Sequence, residues 1–127
     1  MGDQEVSNGV DGGTVLQAAG ECRAFLGGTL HRDWSLPIPD MDWTVAQEVA
    51  HIGEVLLWYA TDPAAGPRQL SVMDLRVPPE TPPADLVAAV LGAYATVLAR
   101  VIDGAAPGAR GCHPAGRADA SGFAAMA

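Results

Sequence analysis

The chain has 127 residues, enough for one domain with a sizeable hydrophobic core. It is 49% hydrophobic and 17% charged, which excludes a disordered polar chain. A net charge of −8 without a single lysine excludes the basic patches that nucleic acid or an anionic membrane surface requires.

The first residues, Met1 to Gly9, are acidic and lack a hydrophobic signal core, and no uninterrupted apolar run approaches membrane-span length. A cytoplasmic protein without a membrane partner is therefore expected. Cys22 and Cys112 are isolated thiols, not a disulfide framework, and read as reduced cysteines. Residues 1–13 are rich in Gly and Asp and are expected to form a flexible tail.

From Thr14 the spacing of Val15, Ala18, Ala19, Cys22 and Phe25 or Leu26 predicts a first helix to about Leu26. Gly27 and Gly28 fray it toward Arg32. The stretch Asp33 to Asp40 holds Pro37 and Pro39 and reads as an extended connector into the next helix. That helix organises the chain. Thr44 and Gln47 make a capping box. Val45, Val49, Ile52, Leu56 and Tyr59 then form an apolar stripe, with Gln47 and Glu54 on the opposite side. The helix is apolar nearly all round, so it belongs inside a bundle. His51 stands on the shoulder of its buried face, where bundles place metal ligands.

A break is expected after Ala60, at Asp62-Pro63. Residues 61–83 read as a long crossing loop in which Ser71 to Val77 alternates too weakly to be assigned to a sheet. Thr81 as cap, Pro82 in the first turn and Asp85 at the dipole open the next helix. Its apolar rows are Leu86, Val90, Val97 and Val101, broadened by Val87, Leu91, Tyr94, Leu98 and Ile102, and it ends near Asp103-Gly104. Residues 104–118 read as a Gly/Pro/Ala loop containing Cys112 and His113, and Asp119 to Ser121 as another helix start. The fold class is therefore all-α, an up-down helical bundle of three long helices plus the start of a fourth, spanning residues 14–127 as an incomplete domain. The wide face of Leu86 to Ile102 is left short of a partner; a homodimer or a longer natural chain would cover it.

Three pieces of sequence carry a resemblance. They are Arg32-Asp33-Trp34-Ser35 followed by Asp42-Trp43-Thr44-Val45 and Glu48-Val49-Ala50-His51; Leu57-Trp58-Tyr59-Ala60-Thr61-Asp62; and His113-Pro114-Ala115-Gly116 with Asp119-Ala120-Ser121-Gly122-Phe123. Together they resemble the mycothiol-dependent maleylpyruvate isomerase N-terminal domain, one of the DinB-like metal-binding helical bundles. The resemblance implies a divalent metal, zinc-like, held by three residues. One is the histidine of the second helix, here His51. The others are a glutamate and a histidine four residues later on the fourth helix, and the sequence ends before that pair would appear. The resemblance further implies mycothiol as thiol cofactor, with the metal activating its thiol for isomerase or transferase chemistry on a small-molecule substrate. Metal coordination lowers a thiol's pKa, so that logic is physically sound.

Each residue also has a plainer reading. A lone histidine on a helix shoulder is more often simply packed and hydrogen-bonded. Glu48-x-x-His51 matches the spacing of carboxylate-bridged di-iron bundles, but no second copy of that motif exists, so Glu48 reads as a partner orienting His51. His31-Arg32-Asp33 reads as a solvated helix terminus, Cys112-His113 as a loop, and Trp34, Trp43 and Trp58 as core or staple residues. Two readings stand: a metal- and thiol-dependent enzyme, or a non-catalytic helical scaffold or dimerising module with a vestigial metal site.

Overall fold

A computed structural model describes residues 9–65, 75–113 and 116–127. Expectations for residues 1–8 of the tail and for residues 66–74 of the crossing loop, including residues 71–74 of the weakly alternating stretch, lie outside the described residues. The described chain is mostly helical. It comprises α1 (Gly12–Gly27), α2 (Val45–Ala65), α3 (Pro83–Gly104), β1 (Arg110–His113), β2 (Gly116–Asp119) and α4 (Ala120–Met126).

Helix α1 starts two residues before Thr14, because Asp11 is its cap. The Asp11 carboxylate accepts the Thr14 N–H at 3.0 Å, and the Thr14 hydroxyl accepts the Asp11 N–H at 3.4 Å. The Gly12 N–H, left without an intrahelical partner, donates to Asp103 Oδ1 at 2.9 Å across the bundle. Beyond Gly27 the connector is not extended. Trp34 is buried, and its indole N–H donates to the Thr29 carbonyl at 3.1 Å. The chain then folds back on itself: the Ile38 N–H reaches Trp43 O, and the Val45 and Ala46 N–H groups reach Leu36 O and Trp34 O. Asp40 makes the reversal with φ of 63°, a conformation aspartate tolerates better than bulkier residues.

The α2 cap is the predicted one. The Gln47 N–H donates to Thr44 Oγ1 at 3.2 Å, and the Thr44 N–H donates to Gln47 Oε1 at 2.8 Å. The helix does not stop at Asp62-Pro63 but runs to Ala65. A proline in a final turn removes one backbone bond with little helix beyond it to disturb. Gly111 of β1 lies against that turn so closely that a Cβ there would stand 2.8 Å from the Pro63 nitrogen.

Helix α3 begins after Pro82, without a side-chain cap, and Thr81 instead donates its N–H to the Pro78 carbonyl in a turn. Pro83 sits in the first turn, where a missing N–H costs nothing. Residues Ala88–Tyr94 are π-helical. This wider turn inserts about one extra residue, which rotates everything after it. The predicted row Leu86, Val90, Val97, Val101 therefore fails downstream. Val97 is 44% exposed, whereas Ala95 and Leu98 are fully buried and Ile102 nearly so.

The start of α1 meets the end of α3 at Gly12 and Asp103, so these helices run antiparallel. Gly53 of α2 meets Val90 and Tyr94 of α3, and Pro63 shares a cavity with Arg100 and Gly104, so α2 and α3 run parallel. The strict up-down alternation expected from the sequence does not hold at this step. A 21-residue helix is about 30 Å long, and the chain must return that distance before α3, which accounts for the long crossing segment. The wide apolar face of α3 does not lack partners, because α1 and α2 both pack on it. Contrary to the expectation that no apolar run approaches membrane-span length, α3 is by length and composition long and apolar enough to cross a membrane, with 22 residues and a mean hydropathy of 1.7 over an 18-residue stretch. Here its apolar residues form the centre of the core instead, with Val90, Ala95 and Leu98 fully buried.

Within the stretch 104–118 expected to be loop, β1 and β2 pair antiparallel, Arg110 with Asp119 and His113 with Gly116. Asp119 then caps α4 by accepting the Gly122 N–H at 2.9 Å, as the sequence indicated. Phe123 is fully buried and meets Tyr59 of α2 edge to face, with centroids 5.8 Å apart. That contact docks the C-terminal unit onto the end of α2.

Candidate functional site

The fold-back of residues 34–46 fixes where α2 begins, and so fixes His51 two turns into it. The reversal also turns Trp43, just ahead of the Thr44 cap, toward the helix. Its ring lies 5.0 Å from the imidazole of His51 at an interplanar angle of 57°. Trp43 is 39% exposed, so it is a wall of this site and not a core residue. One turn further along α2, Glu54 Oε2 stands 3.1 Å from His51 Nδ1. Glu54 Oε1 accepts the Leu75 N–H at 2.8 Å. The carboxylate thus bridges the imidazole and the incoming end of the crossing segment.

A cavity of about 390 Å³ opens here, lined by Trp43, Gln47, His51, Glu54, Arg76 and Val77 among others. The His51 side chain is 43% exposed and that of Glu54 19%. A carboxylate can only accept, so its contact with Nδ1 places a proton on that nitrogen. In the neutral ring, Nε2 then carries the lone pair, and it makes no hydrogen bond among the described residues. The site therefore offers one imidazole nitrogen without a hydrogen-bond partner among the described residues, on a ring that Glu54 and Trp43 hold and that lines a cavity.

The expected partner of His51 was Glu48; the structure gives that place to Glu54. Glu48 Oε2 is buried without a hydrogen-bond partner among the described residues. The sequence signal for Glu54 was available, since residues three apart on a helix are neighbours. Helical periodicity had set it on the far side with Gln47. Trp43 and the Leu75 amide carried no such signal, because a loop reversal and a contact from a distant segment place them.

A second cavity of about 440 Å³ adjoins the first, sharing Gln47 and Val77 and reaching Arg32, Asp33 and Ser35. The Asp33 carboxylate accepts the Ser35 hydroxyl at 2.5 Å and the Ser35 N–H at 2.9 Å. These bonds, the hydroxyl first, hold the Asp33 pKa below the ordinary carboxylate value. His31, Arg32 and Asp33 are exposed, as expected of a solvated terminus.

The metal expected at His51 needs three ligands. Among the described residues no group of three His, Cys, Asp or Glu side chains converges anywhere. Glu54 commits both oxygens to other partners, and the side chains of Cys112 and His113 lie outside the described residues. Cys22 lines a separate, apolar cavity of about 530 Å³ between α1, α2 and α4. The described residues thus fit one corner of a metal site and do not by themselves complete it.

A family model described as the mycothiol maleylpyruvate isomerase N-terminal domain matches residues 15–127. No curated protein and no solved structure matches the chain.

Proposed function

Because the chain belongs to the mycothiol maleylpyruvate isomerase N-terminal domain family, we propose that it is the helical-bundle part of a mycothiol-linked isomerase or transferase, with His51 supplying one metal-coordinating nitrogen. The observation that carries this reading is the state of His51. Its Nδ1 is engaged by Glu54, its Nε2 has no hydrogen-bond partner among the described residues, and the ring lines a cavity, an arrangement compatible with service as a metal ligand. The bundle reading, of the DinB-like kind, rests on the same family membership and on helices packed around α3. The metal is a divalent ion, zinc by preference for imidazole, and the thiol is mycothiol. The remaining ligands come from outside the described residues or from a second copy of the chain. The scaffold reading keeps one specific support, the lack of any converging group of three donors among the described residues.

Zinc content and stoichiometry, measured on wild type and on His51→Ala with oligomeric state recorded on the same samples, separate the two. Stoichiometric zinc in the wild type, lost in H51A, supports the metal site, and the oligomeric state shows whether a second copy completes it. No zinc in either protein leaves a scaffold.

A further inference from the structure

We propose that Glu54 is a positioning residue that sets the tautomer of His51 and locks the ring to the backbone at Leu75, so that the state of the imidazole and the seating of residues 75–77 depend on each other. The inference rests on His51 being the functional group of the site, but not on a metal being bound.

Five observations support it. The Glu54 carboxylate spends one oxygen on His51 Nδ1 and the other on the Leu75 N–H, at 3.1 and 2.8 Å. It is the less exposed member of the pair, at 19% against 43% for His51, so it is the fixed element and the ring the adjustable one. Trp43 packs on the imidazole from another side, which leaves rotation about Nδ1 little room. Finally, Gly53 lets the segment approach: a Cβ there would stand 3.0 Å from the Leu75 side chain. Residues Leu75 to Val77 also line the cavity that His51 opens into. One carboxylate therefore joins the chemical group of the site to its wall. Any occupant that alters the ring's hold on Glu54 alters the Leu75 anchor, and by reciprocity the segment's position alters what the ring presents.

The carboxylate has a property that its amide analogue lacks: both of its oxygens accept. In Glu54→Gln one of those positions becomes a donor. The Leu75 N–H cannot change its role, so the glutamine oxygen must face it, and the glutamine NH₂ must face His51 Nδ1. The ring can adapt only by moving its proton to Nε2. Q-for-E at this position is therefore expected to invert the tautomer while keeping the Leu75 amide bonded. Glu54→Ala removes both bonds.

The test is the ¹⁵N spectrum of the His51 ring with amide exchange at Leu75, at about pH 9, where an ordinary imidazole is neutral. Wild type is expected to show the proton on Nδ1. E54Q is expected to show it on Nε2 with Leu75 still protected. E54A is expected to speed Leu75 exchange roughly tenfold or more, the scale of one lost hydrogen bond to a charged group. H51A is expected to speed it to a lesser degree. Amides of Val90 and Leu98 report whether each variant is folded, and E54Q, close in shape to the native residue, keeps the test available if E54A unfolds. An Nε2 proton in wild type overturns the proposal. So does an unchanged tautomer in E54Q, or Leu75 exchange indifferent to both Glu54 and His51. A role confined to stability would speed exchange in E54A but leave the E54Q tautomer as in wild type. Zinc binding is a separate measurement: its failure removes the metal reading and leaves the tautomer result intact.

Discussion

Alanine at Gly53 and alanine at Gly20 are the same chemical change with opposite expected signs. Gly20 lies mid-helix in α1 and is exposed, and nothing stands within 4 Å of where its Cβ would go. Replacing it should give the ordinary helix-propensity gain of about 1 kcal/mol. Gly53 gains the same amount but meets resistance. Its Cβ would stand 2.9 Å from Val90 Cγ2, 3.0 Å from Leu75 Cδ2 and 3.2 Å from Tyr94 Cδ2. The ends of Leu75 and Tyr94 can shift a few tenths of an ångström. Val90 cannot do so easily, since it is fully buried and β-branched side chains in helices hold one rotamer. Overpacking of this kind costs about 1–3 kcal/mol, so about 2 kcal/mol against a gain of about 1 leaves G53A less stable by about 1 kcal/mol. For a chain of this size that lowers Tm by about 3–5 °C, and G20A should raise it by a similar amount. Urea denaturation and thermal melts of the two variants measure the difference. The reasoning is wrong if G53A proves as stable as G20A.

Phe123→Ala should cost about 3–5 kcal/mol, because a fully buried ring that docks α4 on Tyr59 is removed. Urea unfolding reads this, and a loss under about 1 kcal/mol would mean α4 does not depend on that contact. Ser35→Ala should raise the Asp33 pKa toward the ordinary value, since the hydroxyl bond is the larger cause of its depression. The sign follows from linkage. A depressed folded-state pKa gives stabilisation that is complete above the ordinary aspartate pKa and is lost as pH falls through the folded value. The turn at Asp33-Ser35 should therefore loosen only in that acid range, and at a higher pH in S35A. A ¹³C titration of the Asp33 carboxyl checks it, and an identical midpoint in both proteins would refute the assignment.

What the sequence made legible was local. The Thr44–Gln47 box and the Asp119 cap are spacings of three residues, and both formed as read. The position of His51 on α2 followed from the same periodicity. The partners of His51 did not, because they are set over distance: the Leu75 amide comes from 21 residues away, and its demand for an acceptor decides where Glu54 points. The pairing of β1 with β2 is not legible in the sequence for a related reason. Arg110 to His113 and Gly116 to Asp119 hold no β-branched residue, so their intrinsic preference for strand is weak. Their pairing follows from tertiary placement, with Gly111 packed on the last turn of α2 and α4 docked beside it. Pro63 read as a stop signal, yet a proline that close to a helix end has little left to break.

The π segment connects these misreadings to the site. A regular α-helix from Pro83 onward would keep Val97 and Val101 in line with Leu86 and Val90. The extra residue within Ala88–Tyr94 hands those places to Leu98 and Ile102. Both side chains that crowd Gly53 from α3, Val90 and Tyr94, come from the π segment itself. The widened turn is thus the part of α3 that meets α2 beside His51 and Glu54, and Leu75 shares the same crowded contact. Irregular turns of this kind cost backbone hydrogen-bond geometry, and they persist where packing or function holds them in place. Here the packing is identifiable: a glycine on one helix, a wide turn on the other, and between them the segment whose amide Glu54 holds. Filling the Gly53 gap should therefore disturb two things together, the stability of the α2–α3 contact and the seating of Leu75 against the imidazole's partner. In G53A the Leu75 amide should exchange faster by a larger factor than core amides such as Leu98, whereas a uniform change across the chain would mean that the contact and the site are independent.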